Sequence, residues 1–131
     1  MIEPREEFRA IAGLLSPRVR ARAKILLAGP PDKRAKFVST LPHFDGFEQK
    51  YLCTPLGSGV DLIAAELLER GAQHSCHVIS EDDRIDRAVV DLSCGLAAIL
   101  GSGFGTILIA RPGRLLFYEG EMANRFLVHK P

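Results

Sequence analysis

The sequence predicts an α+β fold, with N-terminal helices packed on a mainly antiparallel sheet of about four strands. The first observation is order: helical periodicity fills the first half of the chain, and strand-like apolar runs fill the end. The second is that the last three runs are joined by short polar connections, which is typical of a C-terminal three-stranded meander. Because strands and helices do not alternate regularly, a parallel βαβ sheet is not expected.

Length and composition are those of one folded domain. The chain has 131 residues, of which 47% are hydrophobic, and one domain takes roughly 100 to 200 residues. We therefore expect a single α+β domain over residues 1–131 that builds its core without disulfides or a structural metal. The formal net charge of +1 creates no strong field that would identify a partner.

Three helices are predicted in the first third of the chain. Residues 6–15 carry apolar side chains at helical spacing. A second helix starts at Ser16-Pro17, where serine favours the N-cap and proline the first helical position, and it runs to about Ala28. A third, short helix is expected over 31–41.

The most regular helical pattern lies at residues 59–70. Ser58, followed three residues later by Asp61, has the spacing of a capping box, and Gly71 suits the C-terminal end. Loss of the Ser58 hydroxyl is therefore expected to cost about 1 kcal/mol. The apolar residues expected on the buried face are Val60, Ile63, Ala64, Leu67 and Leu68.

Strand-like patterns follow this helix. Residues 76–80 and 88–90 flank an acidic turn. A last helix, capped by Asp91 or Ser93, is expected to end near Leu100. The expected meander strands are 104–110, 114–119 and 125–129, and one further short strand is expected near 51–53.

Both faces of the predicted sheet need a cover. Residues 107–109 and 115–118 are runs of consecutive large apolar residues, so neither run alternates between a core face and a solvent face. We expect helices to pack on one face and the N-terminal region to fold over the other. The alternative is a homodimer that buries the second face.

Polar residues near the strand ends are the first candidates for a binding site. His77 lies on the first long strand, Glu81, Asp83 and Asp86 follow it, and Glu119 ends a meander strand. If these strand ends are neighbours, the side chains form a ligand-binding site for a cation or a basic partner. Ordinary solvated turns are the alternative explanation.

The cysteines are the second set of candidates. Cys76 and Cys94 are candidate reactive thiols, because a histidine such as His77 activates a nearby thiol and a helix N-terminus favours a thiolate. The grouping of Cys76 with His74 and His77 suits zinc or copper, but neighbours on a strand point to opposite faces and no second Cys/His pair is visible. We expect neither a metal site nor a cofactor.

Cysteine usage and the first residues indicate a reducing compartment. The three cysteines cannot all pair within the chain. The N-terminus lacks the basic start and apolar run of a secretory signal, and no apolar stretch approaches the roughly 18 to 20 residues that span a bilayer. We therefore expect a cytoplasmic protein with no membrane partner.

Residues 17–36 form the one strongly basic stretch of the sequence. A cluster of Lys and Arg is able to bind phosphate groups. The stretch has little aromatic interleaving for base stacking and no helix-turn-helix spacing. Nucleic acid is therefore not the expected partner.

No sequence motif identifies a reaction. A chain of this size without a convergent catalytic set is expected to be a non-catalytic binding or interaction module, such as an accessory, regulatory or immunity-like protein. Its partner, a protein or a small ligand, stays open, and the use of Arg and Ala over Lys and Ile favours a bacterial source. The alternative function is a small enzyme that uses a Cys/His pair or a metal held by the acidic turns.

Overall fold

Helices and strands follow the predicted order in the computed structural model, which describes residues 3–131. The helices are α1 (Pro4–Ala12), α2 (Pro17–Ala28), α3 (Arg34–Ser39), α4 (Val60–Glu69) and α5 (Leu92–Ile99). The strands are β1 (Leu52–Cys53), β2 (Ser75–Ser80), β3 (Val89–Asp91), β4 (Thr106–Arg111), β5 (Leu115–Glu119) and β6 (Arg125–His129). The α+β class is therefore confirmed. Within residues 3–131, no helix has the length and apolar character needed to cross a membrane.

The strands form one sheet in the order β1-β6-β5-β4-β2-β3, and every neighbouring pair is antiparallel. The predicted meander is confirmed as β4-β5-β6. The sheet of the described residues has six strands, whereas the sequence predicted about four. The two further strands are the edge strands β1 and β3, which correspond to the short strands expected near 51–53 and at 88–90 and are two and three residues long.

Helices cover both faces of this sheet. The helices α1, α2 and α3 pack on one face, and α4 and α5 pack on the other. Successive residues of β5 therefore point into two different cores, and Leu116 and Phe117 are both fully buried. Because α4 and α5 supply the second cover, the sheet gives no reason of its own to expect the homodimer, which stays a prediction.

The helix caps differ from those that the sequence predicted. Ser58 does not cap α4, because the helix begins one residue later, with Gly59 at the N-cap position and no side chain bonded to the first turn. Ser16 holds the N-cap position of α2, yet its hydroxyl makes no capping hydrogen bond. Asp91 caps α5, since its Oδ2 accepts hydrogen bonds from two backbone N–H groups of that helix, at 3.1 and 3.3 Å.

We expect Asp91→Ala to destabilise the protein by about 1 kcal/mol, because two N–H groups of α5 lose their acceptor. Ser58→Ala is the matched control and should change the free energy of unfolding by less than about 0.5 kcal/mol. Urea unfolding followed by circular dichroism measures both changes. A loss in Ser58→Ala as large as that in Asp91→Ala would contradict the caps described here.

Candidate functional site

Four charged or ionisable side chains from separate segments meet in the interior. Glu7 of α1 and His77 of β2 are buried, as is Arg34 of α3. Asp86, in the loop between β2 and β3, has a side chain that is only 15% exposed. We call these four residues the buried ion network. It lies between the N-terminal helices and the sheet.

Arg34 is the centre of the network. Its Nε and Nη2 donate hydrogen bonds to the two carboxylate oxygens of Glu7, both at 2.9 Å. Its Nη1 and Nη2 donate to the two oxygens of Asp86, at 2.6 and 2.9 Å. Asp86 also accepts the backbone N–H of Ser80 at 2.9 Å. Paired contacts of this fork geometry are the strong form of a charge-assisted hydrogen bond.

His77 joins the network through Glu7. The Nε2 of His77 lies 2.8 Å from Oε2 of Glu7. Burial raises the pKa of Glu7, but the hydrogen bonds from His77 and Arg34 outweigh it and hold the pKa below its ordinary value. Because Glu7 is ionised, its carboxylate accepts, and the Nε2–H of His77 donates the hydrogen bond. The other ring nitrogen, Nδ1, is buried and has no hydrogen-bond partner among the described residues.

The arrangement of the network favours a structural role. A carboxylate that orients an imidazole is also the pairing used for general bases. Here the nitrogen of His77 that is left free is closed off from solvent, so it is not placed to take a proton from a bound molecule. The remaining polar atoms are satisfied by one another, and they connect α1 and α3 to the end of β2.

The other predicted acidic residues do not join the network. Glu119 accepts the backbone N–H of Gly101 at 2.8 Å and pairs with Nε of Arg125 at 2.5 Å. Glu81 accepts the backbone N–H of Gly105 at 2.8 Å. Asp83 is exposed and lines a depression of about 420 Å³.

The strand ends that carry these acids do lie at one end of the sheet. Ser80, Thr106 and Glu119 occupy paired positions on β2, β4 and β5. Their neighbouring carboxylates nevertheless point to separate partners. No group of three or more His, Cys, Asp or Glu side chains in residues 3–131 is placed to hold a metal ion. Of the five predicted ligand-binding residues, Glu81, Asp83 and Asp86 line one depression of about 420 Å³ together with Arg34, whereas His77 and Glu119 are not part of its lining.

The two candidate thiols occupy different environments. Cys76 is buried against the α4 and α5 side of the sheet and donates a hydrogen bond to the carbonyl of Gln73 at 3.4 Å. Burial raises the pKa of this thiol to about 11, and Asp91 contributes to the rise. The nucleophilic thiolate is therefore disfavoured at Cys76 at neutral pH. Cys94 is exposed near the start of α5.

The sequence reasoning missed two members of the network. Glu7 lies four residues before Ile11, within the apolar stripe of α1, and Arg34 lies three residues before Phe37 on the inward side of α3. Each charge thus sits at a helical position that the periodicity assigns to the core. A charged residue at a core position requires a buried partner. The presence of Glu7 and Arg34 at such positions is therefore the signal in the sequence that indicates a buried ion pair.

The outer side of the layer formed by α4 and α5 is largely apolar. Leu56, in the loop before α4, is 90% exposed, and Leu62 on α4 is 63% exposed. Leu62, Ala65 and Leu68 follow one another at helical spacing along the solvent side of α4. The neighbouring helix α5 exposes small side chains. We call the following set the α4–α5 surface: Leu56, Leu62, Ala65, Leu68, Ala97 and Ala98.

The α4 helix corrects the sequence prediction at two positions. Leu68, predicted on the buried face, is 42% exposed, and Glu66, which was not among the residues expected on that face, is buried. Glu66 accepts the backbone N–H of Leu56 at 3.0 Å and pairs with Arg70 at 3.3 Å. Because α4 is apolar around most of its circumference, one buried stripe cannot accommodate all of its large side chains. The surplus forms the α4–α5 surface.

Charge is distributed unequally between the two helical layers. The exposed charged side chains of α4 beside the α4–α5 surface are both acidic, Asp61 and Glu69. Exposed basic side chains dominate α1 and α2 on the opposite layer, and they are Arg5, Arg9, Arg18, Arg20, Arg22 and Lys24. The protein therefore has one apolar, weakly acidic side and one basic side.

No protein-family model, curated protein or solved structure matches this chain. Its function therefore has to be inferred from the side chains and surfaces of the described residues.

Proposed function

We propose that this protein is a non-catalytic interaction module whose α4–α5 surface binds a partner protein. The observation that carries the proposal is the exposure of Leu56, Leu62 and Leu68 on the outside of one helical layer. A partner that covers these side chains removes them from water, which contributes about 25 cal/mol per Å² of apolar area. Contiguous exposed apolar residues rimmed by polar ones are typical of protein-binding surfaces.

The charges beside the surface define the chemistry of the partner. In a two-fold contact, a second copy of this chain would bring Asp61 and Glu69 toward identical carboxylates, and like charges oppose such a contact. A partner with an apolar stripe flanked by Lys or Arg meets opposite charges instead. An amphipathic helix with basic flanks fits this description, because its leucine face packs on Leu62 and Ala65.

The polar candidates support the same proposal over the small-enzyme alternative. The carboxylates of Glu7 and Asp86 are both engaged by Arg34, and that of Glu119 by Arg125. Burial and the raised pKa of Cys76 disfavour its use as a nucleophile. These groups therefore support the fold more readily than they support a reaction.

The proposal is tested with a synthetic amphipathic helix of leucine and lysine as the probe. We expect this peptide to shift NMR resonances of α4 and α5 in the ¹⁵N-labelled protein. Leu62→Asp should weaken binding by more than about tenfold, as for a residue at the centre of an interface. Ile25→Asp, an equal change at a 53% exposed residue of the opposite layer, is the matched control and should change the affinity by less than about twofold.

Four results would count against this assignment. Equal weakening by Leu62→Asp and Ile25→Asp would show that the peptide does not recognise the α4–α5 surface, and equal strengthening by both would show that the cationic peptide follows net charge. Resonance shifts spread over α1 and α2 would place binding on the wrong layer. A dimer in sedimentation at micromolar concentration that Leu62→Asp converts to monomer would assign the surface to a second copy and overturn the separate partner.

A further inference from the structure

A depression of about 620 Å³ lies between α1 and α2, in the helical layer opposite the α4–α5 surface. Three cations line it, namely Arg5 and Arg9 from α1 and Lys24 from α2. Two apolar side chains, Phe8 and Ile25, complete most of the lining. None of the described residues that line the depression is acidic.

The three cations keep their charge free for a ligand. None of them takes part in an ion pair within residues 3–131. Like charges around one hollow repel each other, so an anion bound between them relieves that repulsion. The C-terminal end of α2 also borders the depression, but a helix end carries only about half a unit of negative charge. Three full positive charges outweigh it.

The apolar residues add a second requirement for the ligand. Ile25 is 53% exposed, and Phe8 is half-buried beside it. An inorganic anion alone would leave both side chains in contact with water. A ligand that carries an apolar group covers them and gains the corresponding burial energy.

We propose that this depression binds a small organic anion, namely a carboxylate, sulfonate or phosphate monoester joined to an apolar group. The charged group lies among Arg5, Arg9 and Lys24, and the apolar group packs on Phe8 and Ile25. The site is separate from the α4–α5 surface and does not depend on the partner proposed for it. Mixed pockets of this kind, with an apolar lining and a few convergent charges, are typical of small-molecule sites.

The other cations of residues 17–36 explain why the ligand is small and not a phosphate polymer. Arg34 is buried in the ion network. Arg20 donates hydrogen bonds to two backbone carbonyls at the end of α1 and the turn after it, both at 2.9 Å. Arg18 faces Asp45 at 3.9 Å. A nucleic acid needs a row of free cations along one surface. In this stretch Arg34, Arg20 and Arg18 already contact other groups of the protein.

The test uses 8-anilinonaphthalene-1-sulfonate, a fluorescent aromatic sulfonate, together with N-phenyl-1-naphthylamine, which has the same rings and no sulfonate. We expect the sulfonate to bind at least about tenfold more tightly than the neutral amine, because the charge-assisted contacts are lost in the latter. Lys24→Gln should weaken sulfonate binding by about tenfold and leave the amine unchanged. Lys36→Gln, at an exposed lysine of α3 outside the depression, is the matched control with the same change of charge.

Urea unfolding of each variant verifies that the comparison is made on folded protein. Equal weakening by Lys24→Gln and Lys36→Gln would overturn the proposal, since binding would then follow net charge. Loss of binding in Leu62→Asp with none in Lys24→Gln would place the dye on the α4–α5 surface and overturn it as well. Tight binding to phosphatidylglycerol vesicles without affinity for the free sulfonate would assign the cations to a membrane surface in place of a free ligand.

Discussion

Arg34→Met is expected to lower the free energy of unfolding by about 3 to 5 kcal/mol, the usual cost of removing one partner from a buried ion pair. The substitution leaves the carboxylates of Glu7 and Asp86 buried without the four hydrogen bonds that Arg34 donates to them. Methionine fills much of the vacated volume, so the measured loss reports the unpaired charges more than a cavity. Urea unfolding at pH 7 gives the value.

The control for this prediction is Lys36→Met on the same helix. Lys36 is exposed and lies two residues from Arg34, so its replacement should change the free energy of unfolding by less than about 0.5 kcal/mol. If Arg34→Met does not fold, Arg34→Lys keeps the charge, loses the planar fork and should give a smaller loss. Similar values for Arg34→Met and Lys36→Met would contradict the importance of the buried ion network.

The pH dependence of the same variant separates the ion pair from simple packing. The folded-state pKa of Glu7 is lowered, so its contribution to stability is present above its unfolded-state pKa of about 4.3. That contribution is lost as the pH falls through the folded-state pKa. The difference between wild type and Arg34→Met should therefore stay nearly constant from pH 7 to about 5 and shrink as the pH falls below about 4.3 toward the folded-state pKa of Glu7. A difference that stays constant below about pH 4 as well would show that packing alone was lost.

Local signals explain why much of the secondary structure was predictable. Proline at the first position and glycine after the last one bound α2, and its predicted limits, Pro17–Ala28, agree with the structure. The strand β6, Arg125–His129, was likewise predicted at both ends. These elements are delimited by residues next to them in the sequence. The edge strands β1 and β3 were expected near 51–53 and at 88–90, but their limits, Leu52–Cys53 and Val89–Asp91, are set by hydrogen bonds to other strands and not by residues next to them.

The buried ion network required information that no local pattern contains. Arg34 lies 27 residues from Glu7 and 52 residues from Asp86. The sequence selected His77 and Asp86 as neighbours, and both do belong to the network, but the two residues that connect them were not among the candidates. The α4–α5 surface was missed for a different reason. An apolar periodicity does not reveal which side of an apolar helix will lack a cover, as Leu62 and Leu68 illustrate.

Replacing two consecutive residues of β5, in separate variants, is the second experiment with a large expected effect. Leu116→Ala should cost about 2 to 5 kcal/mol and Phe117→Ala about 3 to 5 kcal/mol, because each change leaves a cavity in a packed core. Leu116 points into the core beneath α1 to α3, and Phe117 points into the core beneath α4 and α5. Denaturant unfolding of the two variants gives both values.

Neighbouring residues of a strand point to opposite faces of the sheet, so the pair measures the two layers independently. A sheet with one face in water would give one large value and one below about 1 kcal/mol. Val89→Ala on β3 is the control, since Val89 is 57% exposed and its truncation should cost little. Two large values, with a small one for Val89, require that both faces of the sheet are covered, and an unfolding midpoint that does not change with protein concentration requires that the cover comes from a single chain. A small value for Phe117→Ala would instead show that α4 and α5 do not pack on this face of the sheet. The α4–α5 surface would then not be the outer side of a packed layer.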